Sequence, residues 1–113
     1  MSKIVRQITG DFDHFLDHIN QGILGGSISA TFEDGHDFQD GETRVALRVY
    51  ERYSWLGGNR VSLSVVLTGI GRQLSLCAIA SGGSQAMFFK INRFGEDSFL
   101  GKLEELADNY TGL

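Results

Sequence analysis

The sequence predicts an α+β fold: a two-layer domain in which two helices pack on one face of an antiparallel sheet. Three observations predict it. Two segments, about residues 11–24 and 96–109, carry apolar side chains at helical spacing. The segments before and between them alternate apolar with polar residues, as half-buried strands do, and Gly-rich pairs mark the boundaries. A chain of 113 residues is expected to hold one such domain and no second core.

The elements follow in order. Residues 3–9, rich in β-branched side chains, read as a short strand. From about Asp11 to Leu24, Phe12, Phe15, Leu16, Ile19 and Ile23 fall within roughly an 80° arc of a helix. Asp11 and Asp13 suit its first turn, where the helix dipole favours negative charge, and Gly25-Gly26 ends it. Ser27 to Glu33 alternates as a strand with Ile28, Ala30 and Phe32 on one face, and Asp34 to Gly41 reads as a polar loop with two Asp-Gly turns. Two long strands follow, about Glu42–Ser54 and Arg60–Thr68, then Gln73–Ser81, with Ala86–Ile91 as one further strand. The last helix carries Phe99, Leu100, Leu103, Leu106 and Tyr110 on one stripe. The expected order is β-α-β-β-β-β-(β)-α.

Parity predicts which side chains share the core. The first long strand has Val45, Leu47 and Val49 at odd positions, and the next has Val61, Leu63, Val65 and Leu67. If both odd sets face one core, the paired residue numbers must sum to an even number. A three-residue loop, Leu56-Gly57-Gly58, meets this by pairing Val49 with Val65 and Leu47 with Leu67. Arg44, Arg48, Tyr50 and Arg52 would then lie on the open face of the sheet, beside Ser62 and Ser64.

Charge and composition exclude several function classes. Hydrophobic residues are 42% and charged residues 21%, an ordinary globular balance. Only Cys77 is present, so neither an intrachain disulfide nor a multi-Cys zinc site can form. The N-terminus lacks the pattern of a signal peptide, and no apolar run is long enough to span a bilayer, so a cytoplasmic protein with no membrane partner is expected. Residues 44–93 hold seven basic side chains and one acid, against three and thirteen elsewhere. The expectation is that these regions pair with each other. A net charge of −4 with only three Lys disfavours nucleic acid.

Nothing assembles into a catalytic or metal constellation, so catalytic residues, metal and cofactor are all expected to be none. His14 and His18 have the i, i+4 spacing of helical metal ligands but fall on the side of the helix away from its apolar stripe, where solvated imidazoles are expected. Asp34, Asp37, Asp40 and Glu42 lack calcium-loop spacing and are explained by turns. Cys77 has no evident activating base. Ser81-Gly-Gly-Ser84 lacks the ending of a phosphate-binding loop.

Several stretches carry a resemblance: Thr9-Gly-Asp-Phe-Asp13, Arg48-Val-Tyr-Glu-Arg-Tyr53, Gly57-Gly-Asn-Arg-Val-Ser62, Ser81-Gly-Gly-Ser-Gln85 and Phe88-Phe-Lys-Ile-Asn92. Through them the chain resembles a family of small uncharacterised bacterial proteins, a domain of unknown function. The resemblance implies a bacterial cytosolic protein and carries over no catalytic residue. The element order also looks like the TATA-binding-protein-like and helix-grip architectures, a likeness of fold that implies no function.

The expected function is therefore a non-enzymatic interaction module. It would form a homo-oligomer, with a dimer as the expected assembly, through the open sheet face (Arg48, Tyr50, Arg52, Ser62, Ser64) or an edge strand. Such a face is most often merely solvated; among specific roles, self-association ranks above ligand capture because small apolar residues sit among the polar ones. The alternative is a carrier of a small anionic or apolar ligand. Its cavity would lie between the last helix and the sheet, lined by Trp55, Phe88 or Phe89, Phe99 and Leu103.

Overall fold

The computed structural model describes residues 2–26, 29–54, 59–82 and 89–112. The chain runs β1 (Ser2–Thr9), α1 (Phe12–Gly25), β2 (Thr31–Asp40), β3 (Thr43–Ser54), β4 (Asn59–Ile70), β5 (Gln73–Gly82) and α2 (Phe89–Asp108). The five strands form one open antiparallel sheet in the order β1-β5-β4-β3-β2. Both helices cover the same face, giving the α+β layering that the alternating patterns predict.

Each helix buries most of its predicted stripe; Leu16, Leu106 and Tyr110 are only partly buried, and Tyr110 lies beyond the end of α2. Asp11 caps α1 by accepting a hydrogen bond from the His14 amide, which satisfies an N–H that has no partner inside the helix. Phe12, Phe15, Ile19 and Ile23 are buried against Phe99, Leu100, Leu103 and Ala107 of α2 and the inward side chains of the sheet. On β4 these are Val61, Leu63, Val65 and Leu67, and on β5 Leu74, Leu76, Ala78 and Ala80. α2 rests on β1, β5 and β4 and beside α1. Arg6 of β1 ties it down through ion pairs with Glu104 and Asp108.

Four expectations need correction. The segment Asp34–Asp40 is strand, not loop. A register shift between Phe32 and Asp34 puts a bulge at Glu33, after which the chain stays paired to β3 as far as Asp40. An edge strand need bury little, so its polar composition hid it. The true turn is Gly41-Glu42, where Gly41 takes φ 61°.

The β3–β4 hairpin has the other parity. Val49 pairs with Ser64 and Leu47 with Val66, the register ending at Ser54 and Asn59 across residues 55–58. Four residues, not three, separate the paired ends, so β3 presents its even positions to the helices: Ala46 and Tyr50 are buried. Arg48, Tyr50 and Arg52 thus sit on the helix side, not the open side.

The strand expected over Ala86–Ile91 is not present in residues 89–91, which open α2. In a meander its place would be beside β5, and β1 already fills it. The rest of that strand, and Ser27 and Ile28 of the expected earlier one, lie outside the described residues. Finally, His18 reaches α2, its Nε2 2.9 Å from the Leu106 carbonyl oxygen, while His14 is exposed, as expected, with its Nδ1 2.6 Å from the Tyr110 hydroxyl. Tyr110 packs against both rings and so draws them into the contact between helices.

Candidate functional site

The odd register has a consequence for the uncovered face. β3 and β4 both carry their apolar residues at odd positions, so an odd pairing sum sends the two sets to opposite faces. The β4 set enters the core. The β3 set, Val45, Leu47 and Val49, joins the face that no helix covers.

Registers across the whole sheet show what that face contains. One row of directly paired residues crosses all five strands: Val5, Cys77, Val66, Leu47 and His36. The adjacent row is Lys3, Ile79, Ser64, Val49 and Asp34. On the other side lie Gln7, Ser75, Thr68, Val45 and Phe38, then Thr9, Gln73, Ile70, Thr43 and Asp40. Val5 is 52%, Ile70 55% and Phe38 60% exposed. A sheet with one covered face normally turns polar residues outward. Here the centre of the outward face is Val, Leu, Ile and Cys, with Ser and Thr between them. A contiguous apolar patch rimmed by polar residues marks an interaction surface.

Charge is confined to the rim of this face. Arg60 bonds Glu51 at 2.8 Å near one end of the strands. Lys3 and Asp34 stand at the two sheet edges in the same row, and among the described residues neither has an ion-pair partner.

On the helix side, the basic middle of the chain meets the acidic flanks. Arg44 makes two hydrogen bonds to Asp13, at 2.8 and 2.9 Å, and lies 4.2 Å over the Phe12 ring. The bonds from Arg44 hold the Asp13 carboxyl below its usual range. Arg48 donates to Asp37 at 2.6 Å, and that bond lowers the Asp37 carboxyl likewise. Arg52 stacks 4.8 Å from Phe99, and burial pulls its guanidinium below the ordinary value. Tyr50 is fully buried, and its hydroxyl donates to Asn20 Oδ1 at 2.9 Å. Burial pushes its phenol up to about 12.

Beyond α1, the sheet extends under no helix. An open cleft of about 440 Å³ lies there, lined by Leu16, Leu24 and Phe32 with Asp13, Asp17, Asn20 and Arg48. Asn20, whose Oδ1 accepts from the Tyr50 hydroxyl, lines this cleft. The Asp34–Glu42 acids do not gather here or elsewhere. The extended backbone sends Asp34 to the open face and Asp37 to the helix face, and among the described residues no three His, Cys, Asp or Glu side chains form a metal-binding group.

Of the five residues expected on the open face, Ser62 and Ser64 lie there, and Arg48, Tyr50 and Arg52 lie on the other side. Sequence reasoning missed Leu47, Val49, Val5, His36 and Phe38 as open-face residues. The available signal was the length of the 55–58 connection, since four residues there reverse parity. For the alternative cavity, Phe99 and Leu103 are buried in the packed core. A shallow recess of about 320 Å³ touches Phe99 beside Arg52, Gly26, Lys102 and Glu105. Trp55 and Phe88 lie outside the described residues.

Among the described residues, no helix is long and apolar enough to cross a membrane. No curated protein and no solved structure matches the chain. Residues 1–111 match a family of unknown function (DUF6054), and the chain belongs to that family.

Proposed function

We propose that this protein is a non-enzymatic interaction module that self-associates as a homodimer, burying the open sheet face against a second copy. One observation supports this above others: the unbroken row Val5–Cys77–Val66–Leu47–His36, apolar through its centre, on a face that neither helix covers. The size of the face is adequate. Five strands at ~4.8 Å spacing and about eight residues of length give a projected area of ~650 Å². With side-chain relief this approaches the ~800 Å² per partner of a standard interface. The product would be a four-layer particle, helices outermost and two sheets facing each other at ~10 Å. A lone half-exposed thiol, Cys77, fits a reducing, cytoplasmic setting.

The test is Val66→Glu. Val66 lies outside the helix-covered core, so the monomer should still fold, with unchanged circular dichroism. Light scattering should give dimer for the parent and monomer for the variant. A parent that is monomeric at every concentration sinks the proposal.

A second reading is favoured by the cleft beyond α1. Its volume lies in the range of small-molecule sites, with an apolar floor and a few polar groups. We propose that it admits a small ligand with an apolar body and an acidic or carbonyl group directed to Arg48 and Asn20. Native mass spectrometry of freshly purified protein would reveal an added mass that Phe32→Ala reduces. A clean chain mass under gentle conditions argues against it.

A further inference from the structure

We propose that the two copies stack with their twofold axis parallel to the strands and running along β4, so that Lys3 of each copy meets Asp34 of the other. This orientation rests on self-association through the open face.

Two aligned ways of stacking the sheets are compatible with twofold symmetry. In one, the axis runs along the strands. Each row then faces its own row reversed, β1 lies over the second copy's β2, and β5 over its β3. In the other, the axis runs across the strands, so each strand faces itself and the rows are inverted about the central one. The residues on the face separate the two.

With the axis along β4, the row Lys3–Ile79–Ser64–Val49–Asp34 meets itself end for end. Lys3 meets Asp34 at both edges, Ile79 meets Val49, and Ser64 meets Ser64 on the axis. In the next row Cys77 meets Leu47, Val66 meets Val66, and Val5 meets His36. Thr9 meets Asp40, a hydroxyl donor against a carboxylate. Lys3 and Asp34 thus find counter-ions and Asp40 a hydrogen-bond donor, and Ile79, Cys77 and Val66 meet apolar side chains, while in the row beyond Gln7 meets Phe38 and Ser75 meets Val45. Arg60, also on β4, meets Arg60 of the second copy near the axis, each held by Glu51 of its own chain at 2.8 Å.

With the axis across the strands, centred on the Val66 row, Asp34 would face Phe38, Lys3 would face Gln7, and Ile79 would face Ser75. That arrangement desolvates a carboxylate against an aromatic ring and leaves both edge charges without a counter-ion. Like-sign or unpaired charge at an interface costs affinity and disfavours wrong orientations. Within one chain Lys3 and Asp34 are four strand spacings apart, about 19 Å, so they cannot satisfy each other. Only a second copy in the first orientation brings them together.

Cross-linking across the central row distinguishes the orientations. In a Cys77→Ser background, the single variants Val5→Cys and His36→Cys are compared with the double variant, using a bismaleimide spanning about 8–10 Å, near the sheet spacing. The proposal expects a covalent dimer from the double variant and, from either single variant, less than about a tenth as much, because each cysteine then faces the other type. Covalent dimer from each single variant, at the yield of the double, would establish the crossed axis and overturn the orientation. A parent that light scattering finds to be dimeric, with no cross-link in any variant, also overturns it while leaving self-association standing. A monomeric parent removes the underlying reading itself.

Discussion

At the scale of single residues, Tyr50 shows most clearly how the fold accommodates polar groups under its helices. Its ring is fully buried and edge-on to Phe32, and its hydroxyl is held by Asn20. Tyr50→Phe should cost about 1 kcal/mol, the net worth of one such bond, with the Asn20 carbonyl oxygen left short of a donor. Urea melts of the two proteins measure this directly. The same pair yields a pH prediction. The folded phenol ionises at about 12, above the ~10 of an unfolded tyrosine. The unfolded chain therefore loses its proton first as pH rises. The contribution of Tyr50 is fully present below about pH 10 and is lost progressively towards pH 12. The advantage of the parent over Tyr50→Phe should shrink across that window, and a constant difference between about pH 9 and 11 would contradict the burial assigned to this ring. The Arg44–Asp13 contact is a different matter. Both side chains are substantially exposed, so Asp13→Asn should change stability by less than ~1 kcal/mol despite good geometry.

At the scale of elements, β2 is the least conventional part of the sheet. It is an edge strand with a bulge at Glu33, several carboxylates and Gly35 two residues after the bulge. A Cβ at Gly35 would fall 2.6 Å from the Leu47 carbonyl oxygen and 2.9 Å from Arg48 Cδ. The nearest obstacle is backbone, which cannot swing aside. Gly35→Ala should therefore loosen the β2–β3 ladder, costing on the order of 1–3 kcal/mol and speeding amide exchange in β2 before the other strands. Asp11→Ala, which removes the cap of α1, should cost about 1 kcal/mol.

The elements also show what could be read beforehand. Helix α1, β4, β5 and α2 from about Glu96 were legible because each buries an apolar stripe, and a buried stripe leaves a periodic mark; the opening residues 89–91 of α2 read instead as strand. β2 was half legible, since its second half is polar on both sides and is held by pairing alone. The face of β3 was misread because apolar alternation normally indicates the core. On this strand the apolar set faces outward, while the inward set includes Arg44, Arg48 and Arg52, whose long stems and paired head groups fill the margin beside the helices. The candidate site was thus the part the pattern concealed: an apolar face left uncovered reads like an interior.

At the scale of the whole molecule, the internal pairing of charge explains why a basic middle and acidic flanks produce no strong polarity at the core. Arg44 and Arg48 of the basic middle each answer an acid from the flanks, and Arg6, itself in a flank, pairs with Glu104 and Asp108. What is left over is the open face, whose central side chains are only partly shielded by their strand neighbours. Burying it against a second copy would link stability to concentration, since only the dimer removes that surface from water. The thermal midpoint of the parent should then rise with protein concentration, and that of Val66→Glu should not.

The most direct measurement is the solution mass by sedimentation equilibrium over a wide concentration range. The account predicts twice the 12.4 kDa chain mass for the parent, falling to a single chain mass for Val66→Glu with its fold intact. A parent that sediments as a single chain throughout, or a Val66→Glu variant that remains dimeric, would contradict it.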